Sequence, residues 1–146
     1  MFRTIIIAYD GSDHAKRAIA VACDVAKKYE AKLWVSHTPE GGSTPIAVDP
    51  FIGAIGAPLP PEEIAESAKA AIDEAEALVR AGGCELTGSR VGSVATAEDV
   101  AALASEIKAD LIVMGRRGRG AVAGLLFGSA TQEVSRAAPC AVLTVF

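Results

Sequence analysis

Residues 115–131, GRRGRGAVAGLLFGSAT, hold the residue types of a loop that grips phosphate. Five glycines and three arginines lie from Gly115 to Gly128, after the apolar run Leu111-Ile112-Val113-Met114 and into the turn Gly128-Ser129-Ala130-Thr131. The run reads as a buried strand and the turn as the opening of a helix. Glycine lets a backbone take positive φ and come close to a ligand, and helix-opening amides point at any anion placed before them. Main-chain N–H groups near Gly118 and Gly128 are expected to receive the phosphates of a polyphosphate. The hydroxyls of Ser129 and Thr131 would add donors. Arg117 could reach a phosphate, whereas Arg116 and Arg119 read as a solvated patch.

A second candidate is Asp10, which ends the run Ile5-Ile6-Ile7-Ala8-Tyr9 and precedes Gly11-Ser12. A carboxylate at the carboxyl end of a strand could accept hydrogen bonds from ribose hydroxyls. It could also help hold a divalent metal riding on the phosphates. Open α/β sheets take ligands beyond the carboxyl ends of their strands, where the strand order reverses. If the first strand and the strand at 111–114 are neighbours, Asp10 and the glycine stretch face one crevice.

Other chemistry finds less support. No G-x-x-x-x-G-K-[ST] occurs, and the first strand is followed by Asp10-Gly11-Ser12 rather than the glycine fingerprint of a dinucleotide site. His37 sits in a strand without a carboxylate partner in sequence and reads as structural, and His14 reads as exposed helix. Cys23, Cys84 and Cys140 show no CxxC spacing, which favours reduced thiols in a cytoplasm-like compartment. The net charge of −4 runs against a general nucleic-acid binder. An arginine-glycine segment for RNA, or a merely flexible connection, are the alternatives for 115–131, and neither explains the Gly-Ser at its far end.

These groups need a frame. At 146 residues and 51% hydrophobic, the chain is expected to form one domain over residues 1–146 with a well-filled core. Its apolar runs fall far short of a membrane span, and no secretory leader is recognisable, so a cytoplasmic protein is expected. The unalternating Ile5-Ile6-Ile7-Ala8 suits an inner strand of a parallel sheet. Ser12 reads as an N-cap with Asp13 in the first turn, and Ala15, Ala18, Ile19, Ala22, Val25, Ala26 and Tyr29 recur at helical spacing. Lys32 to Thr38 reads as a second strand. Pro39 to Pro60 contains five prolines, with glycines at 41, 42, 53 and 56, and no regular element fits it. Pro60-Pro61-Glu62-Glu63 opens a helix that Gly82-Gly83 ends, with Ile64, Ala68, Ala71, Ile72, Ala75, Leu78 and Val79 as its apolar stripe. Cys84 to Val91 is a weaker strand. Thr96 with Asp99 resembles a capping box ahead of Val100, Leu103, Ala104 and Ile107. A short helix at 129–136 and a strand at 141–146 close the chain. The alternation implies a parallel sheet with helices on both faces.

Gly115-x2-Gly118-x9-Gly128-Ser129 resembles the G-x2-G-x9-G-[ST] pattern of the nucleotide-binding branch of the universal stress protein family. The resemblance extends to residues 6–12, 109–115 and 139–143, and so over essentially the whole chain. It implies a three-layer, doubly wound, five-stranded parallel sheet of order 3-2-1-4-5, with ATP, ADP or AMP at the switch point. Magnesium would be held mainly by the phosphates. By position, Asp10 matches the ribose contact, Ala8 and Thr38 the adenine contacts, and Met114, Gly115, Arg117 and Gly118 the nucleotide lining. Gly128, Ser129, Ala130 and Thr131 match the phosphate turn. Thr38 departs from the family's usual aliphatic residue. The resemblance also points to homodimers through strand 141–146, the apolar edge that pairing with a second copy would cover. Three roles follow: a nucleotide-dependent stress regulator, a slow ATPase or nucleotide-transfer enzyme, and a nucleotide-free interaction module. With no base evident for phosphoryl transfer, binding is the first expectation and slow hydrolysis the most that is expected.

Overall fold

A computed structural model describes residues 1–39, 43–49, 53–58, 60–92, 95–117 and 128–146, with the backbone alone at 43–49 and 53–58. Its elements are β1 (Thr4–Ala8), α1 (Asp13–Tyr29), β2 (Lys32–His37), β3 (Ser43–Asp49), β4 (Gly53–Pro58) and α2 (Pro61–Ala81). These are followed by β5 (Leu86–Val91), α3 (Thr96–Glu106), β6 (Leu111–Gly115), α4 (Ser129–Ala137) and β7 (Ala141–Val145). Five strands form one sheet in the order β5-β2-β1-β6-β7, and every neighbouring pair is parallel. Counting only those strands, the order is the expected 3-2-1-4-5. The order reverses between β1 and β6, so the switch point lies where the sequence places Asp10 and the glycine stretch.

The central strands are covered on both faces, which explains their unbroken apolar runs. Ile5, Ile7, Leu33, Val35, Leu111 and Val113 pack with Ala15, Ala18, Ile19, Ala22 and Cys23 of α1 and Ala75 and Val79 of α2. On the other face Ile6, Ala8, Ile112 and Met114 pack with Val100, Leu103 and Ala104 of α3 and Val134 of α4. Alternate residues of each strand therefore feed two separate cores. The Asp110 carboxylate ties the start of β6 to the start of β1, accepting from the N–H of Arg3 at 2.8 Å and of Thr4 at 3.0 Å. These donors hold its pKa below the usual carboxylate value. Cys23 is buried, and that burial pushes its thiol up to about 12.

Ser12 caps α1 as expected, its hydroxyl accepting from Ala15 N at 3.2 Å. Three expectations are corrected. The segment 39–60 contains a regular element after all, the antiparallel hairpin β3–β4. Proline hid it: Pro45 has no N–H to give, and it stands at the register irregularity between Pro45 and Ala47, where a ladder tolerates one. Thr96 is the first residue of α3 and not its cap; Ala95 holds the cap position without a side-chain bond. The Asp99 carboxylate instead accepts from the Thr38 hydroxyl at 2.7 Å. His14 is half-buried, its ring 5.3 Å from that of Phe146. Among the described residues no helix is long and apolar enough to cross a membrane.

Candidate functional site

The β1–α1 turn is shaped by its sequence. Gly11 sits at φ 79°, a conformation that costs glycine little, and this folds Ser12 back onto Asp10. Ser12 N–H donates to the Asp10 carboxylate at 3.0 Å. The turn is thereby fixed before any ligand arrives, with Asp10 partly exposed just beyond the carboxyl end of β1.

The other wall grows from β6. Ala8 is in register with Met114, so the last residues of β1 and β6 stand side by side. Gly115 follows against the start of α1, where a Cβ would lie 2.8 Å from His14 Cβ and 2.9 Å from Ala15 N. Only a residue without a side chain allows strand and helix to approach so closely. Ser12 Oγ then donates to Arg117 O at 3.4 Å, joining the Asp10 turn to the first residues of the glycine stretch.

The far end of that stretch returns to its root. Gly128 N–H donates to Arg116 O at 3.0 Å, and the Thr131 hydroxyl lies 3.1 Å from both Gly115 O and Arg116 O. Thr131 is 3% exposed, so its hydroxyl locks the base of the loop instead of facing outward as a phosphate donor. Its main-chain N–H still belongs to the first turn of α4. Residues 116–117 and 128–131 thus bracket a loop whose ends meet, while Gly118 and the rest of 118–127 lie outside the described residues.

The opening of α4 differs from the other helix starts. Like α2 and α3 it has no side-chain cap, but its first turn, unlike theirs, carries no acid. The first turns of α1, α2 and α3 hold Asp13, Glu62 with Glu63, and Glu98 with Asp99. The amides of Ser129, Ala130 and Thr131 lack intrahelical acceptors by helix geometry, so α4 presents an uncompensated positive dipole end beside the Asp10 turn. Arg117 Nε is buried with no hydrogen-bond partner among the described residues. An anion would satisfy both.

The structure assigns the remaining polar groups elsewhere. His37 Nδ1 lies 2.8 Å from Tyr9 O. A carbonyl can only accept, so that nitrogen carries the proton and the ring is anchored to the main chain at the end of β1. The Thr38 side chain is engaged with Asp99, leaving its main chain to meet a base. The Arg116 guanidinium lies over the Phe146 ring at 4.1 Å, which corrects its reading as merely solvated. Among the described residues no group of three histidines, cysteines or carboxylates is placed to hold a metal. Sequence reasoning missed Ser36, a serine that follows Leu33-Trp34-Val35 in an inner strand and is 2% exposed.

Known proteins share this fold. A universal stress protein from Thermus aquaticus is 43% identical over 150 residues, covering 99% of both chains. A universal stress protein solved in complex with cAMP is 28% identical, with a TM-score of 0.69 and coverage of 99% of this chain and 97% of that one. The universal stress protein of Archaeoglobus fulgidus solved with dAMP has the same fold, with a TM-score of 0.70 at 23% identity and coverage of 100% and 98%. The sequence model of the universal stress protein family matches residues 1–145, and with the sheet order and the Gly115–Gly128–Ser129 spacing in place, this chain belongs to that family.

Proposed function

We propose that this chain, acting as one domain in the cytoplasm, binds an adenine nucleotide, ATP foremost, between the β1–α1 turn and the β6–α4 connection. The bound nucleotide sets the protein's shape or partners during stress. The observation that supports the reading is the start of α4, without a side-chain cap or a first-turn acid, hydrogen-bonded through Gly128 to Arg116, next to the Arg117 carbonyl that Ser12 of the Asp10 turn holds. Phosphates would be held by main-chain N–H groups at Ser129, Ala130 and Thr131 and by the half-buried Arg117, whose Nε has no partner among the described residues, and Gly118 keeps its expected role as a phosphate-loop glycine. Asp10 would take the ribose hydroxyls. The base would rest at the ends of β1 and β2, near Ala8, Met114 and the main chain of Thr38. A relative of the same fold whose structure was solved with cAMP supports a purine nucleotide as the ligand class.

Magnesium would ride on the phosphates with Asp10 as the one nearby carboxylate on this turn, since the described residues offer no metal cage of their own. The nucleotide supplies the charge that α4 and Arg117 lack; the protein supplies grip and orientation. With no evident base for an attacking water among the described residues, the expectation is binding first and slow hydrolysis at most. The edge strand β7, with Leu143 38% exposed, and Phe146 just beyond it, 69% exposed, serve as the homodimer contact.

Calorimetric titration with ATP, ADP, AMP and cAMP tests the reading. Saturable one-to-one binding of at least one of them, lost on Gly128→Val while the far-ultraviolet circular dichroism is kept, is expected. Absence of binding for all four refutes it. Phosphate release faster than about 1 per second would make the protein an enzyme first.

A further inference from the structure

The carboxyl half of β2 carries a buried polar side chain with no bond to make. Ser36 is 2% exposed, and its Oγ has no hydrogen-bond partner among the described residues. Buried hydroxyls are rarely left so, because the water they lose must be replaced. Strand alternation sets its direction. Leu33 and Val35 pack toward α1 and α2 and Trp34 packs toward α3 and α4, so Ser36 faces the side of Trp34.

On that face Ser36 is in register with Ala8, and Ala8 with Met114. The three make one row across β2, β1 and β6, one residue short of the carboxyl ends of β2 and β6. Ala8 and Met114, 7% and 5% exposed, are the apolar members of the row, and Ser36 ends it with a hydroxyl. Nearby polar groups are engaged elsewhere: His37 Nδ1 with Tyr9 O, and the Thr38 hydroxyl with Asp99.

We propose that Ser36 contacts the base of the bound nucleotide, donating its hydroxyl proton to a ring nitrogen of the purine whose face lies on Ala8 and Met114. This rests on the nucleotide reading above and adds to it a residue that discriminates the base. A ring nitrogen is an acceptor without a proton, which is what a donor at the end of an apolar row selects.

The test is Ser36→Ala, which removes one oxygen and little volume. Without nucleotide the variant should melt at the wild-type temperature or above it, because an unsatisfied buried group has gone. Its ATP affinity should fall about 5- to 10-fold, the range of one hydrogen bond. Titration with the 1-deaza, 3-deaza and 7-deaza analogues of ATP completes a double-mutant cycle. Wild type should lose affinity for one analogue in particular, and Ser36→Ala should show no further loss with it. Wild-type ATP affinity in Ser36→Ala overturns the proposal while leaving the nucleotide site standing. An equal loss against ATP and all three analogues, with a lowered melting temperature, assigns Ser36 to packing and also overturns it. Failure of the wild type to bind ATP or any analogue overturns the nucleotide reading itself.

Discussion

Ser129→Asp should push stability and affinity in opposite directions. Ser129 is exposed and opens α4, so the exchange disturbs no packing. An acid in a first turn that has none completes the helix dipole and stabilises the nucleotide-free protein by about 0.3–1 kcal/mol. For a chain of this size that raises the melting temperature by roughly 1–4 °C. The same carboxylate then stands where the phosphates are to go. Two like charges about 4–8 Å apart at an effective dielectric constant of about 20 repel by roughly 2–4 kcal/mol. Each 1.4 kcal/mol is about a factor of ten, so ATP affinity should fall roughly 30- to 1,000-fold. Differential scanning fluorimetry without ligand and calorimetry with ATP at low salt read the two halves. Ser129→Asn, close in size to the aspartate but without its charge, should keep affinity within about threefold, since its lost hydroxyl is one minor donor. A Ser129→Asp protein that binds ATP as the wild type does would refute the placement of phosphate at α4. One that melts lower would refute the claim that its first turn is uncompensated.

Further outcomes follow from other contacts. Gly115→Ala should cost about 1–3 kcal/mol by overpacking, and should weaken ATP binding, because the new methyl pushes the start of α1 off β6; unchanged melting and affinity would show that the two walls are not held by this contact. Asp110→Ala should destabilise the protein by about 1 kcal/mol at pH 7, after allowance for exposure. The folded carboxyl is more acidic than the unfolded one, so its contribution is present above the unfolded pKa of about 3.9 and fades as pH falls through the lower folded value. Denaturation curves of the two proteins should therefore converge only in strong acid, and a gap that persists there contradicts the assignment. Cys23 should resist a thiol reagent at pH 8 in the folded protein, with all three cysteines reacting after denaturation; rapid native labelling of Cys23, located by peptide mapping, would contradict its burial. Leu143→Arg on β7 should shift a dimer toward monomer in sedimentation, and a dimer that survives the change places the contact elsewhere.

Much of the fold was legible because parallel strands covered on both faces must be apolar throughout. Ile5-Ile6-Ile7 and Leu111-Ile112-Val113-Met114 announce themselves, and the helix between the first two strands shows its spacing from Ala15 to Ala26. The hairpin β3–β4 was not legible, since its prolines and glycines are those of an irregular loop. At the site, residue types and spacing pointed to the two walls, but side-chain allegiance could not be read from them. Thr131 could be a phosphate donor by type, and only the fold turns its hydroxyl inward onto Gly115 and Arg116. Thr96 and Asp99 have capping-box spacing, yet Thr38 arrives from another strand to claim the carboxylate. Ser36 passed unnoticed because one polar residue in a strand says nothing until register sets it beside Ala8.

The central claim is that the main chain opening α4 holds a nucleotide's phosphates opposite Asp10. A crystal structure grown with ATP and magnesium tests it most directly. Phosphate oxygens within hydrogen-bond reach of the Ser129, Ala130 and Thr131 amides, with the ribose on the Asp10 carboxylate, are the predicted result. A nucleotide bound away from the Asp10 turn, or those three amides facing only water in a nucleotide-saturated crystal, would contradict it.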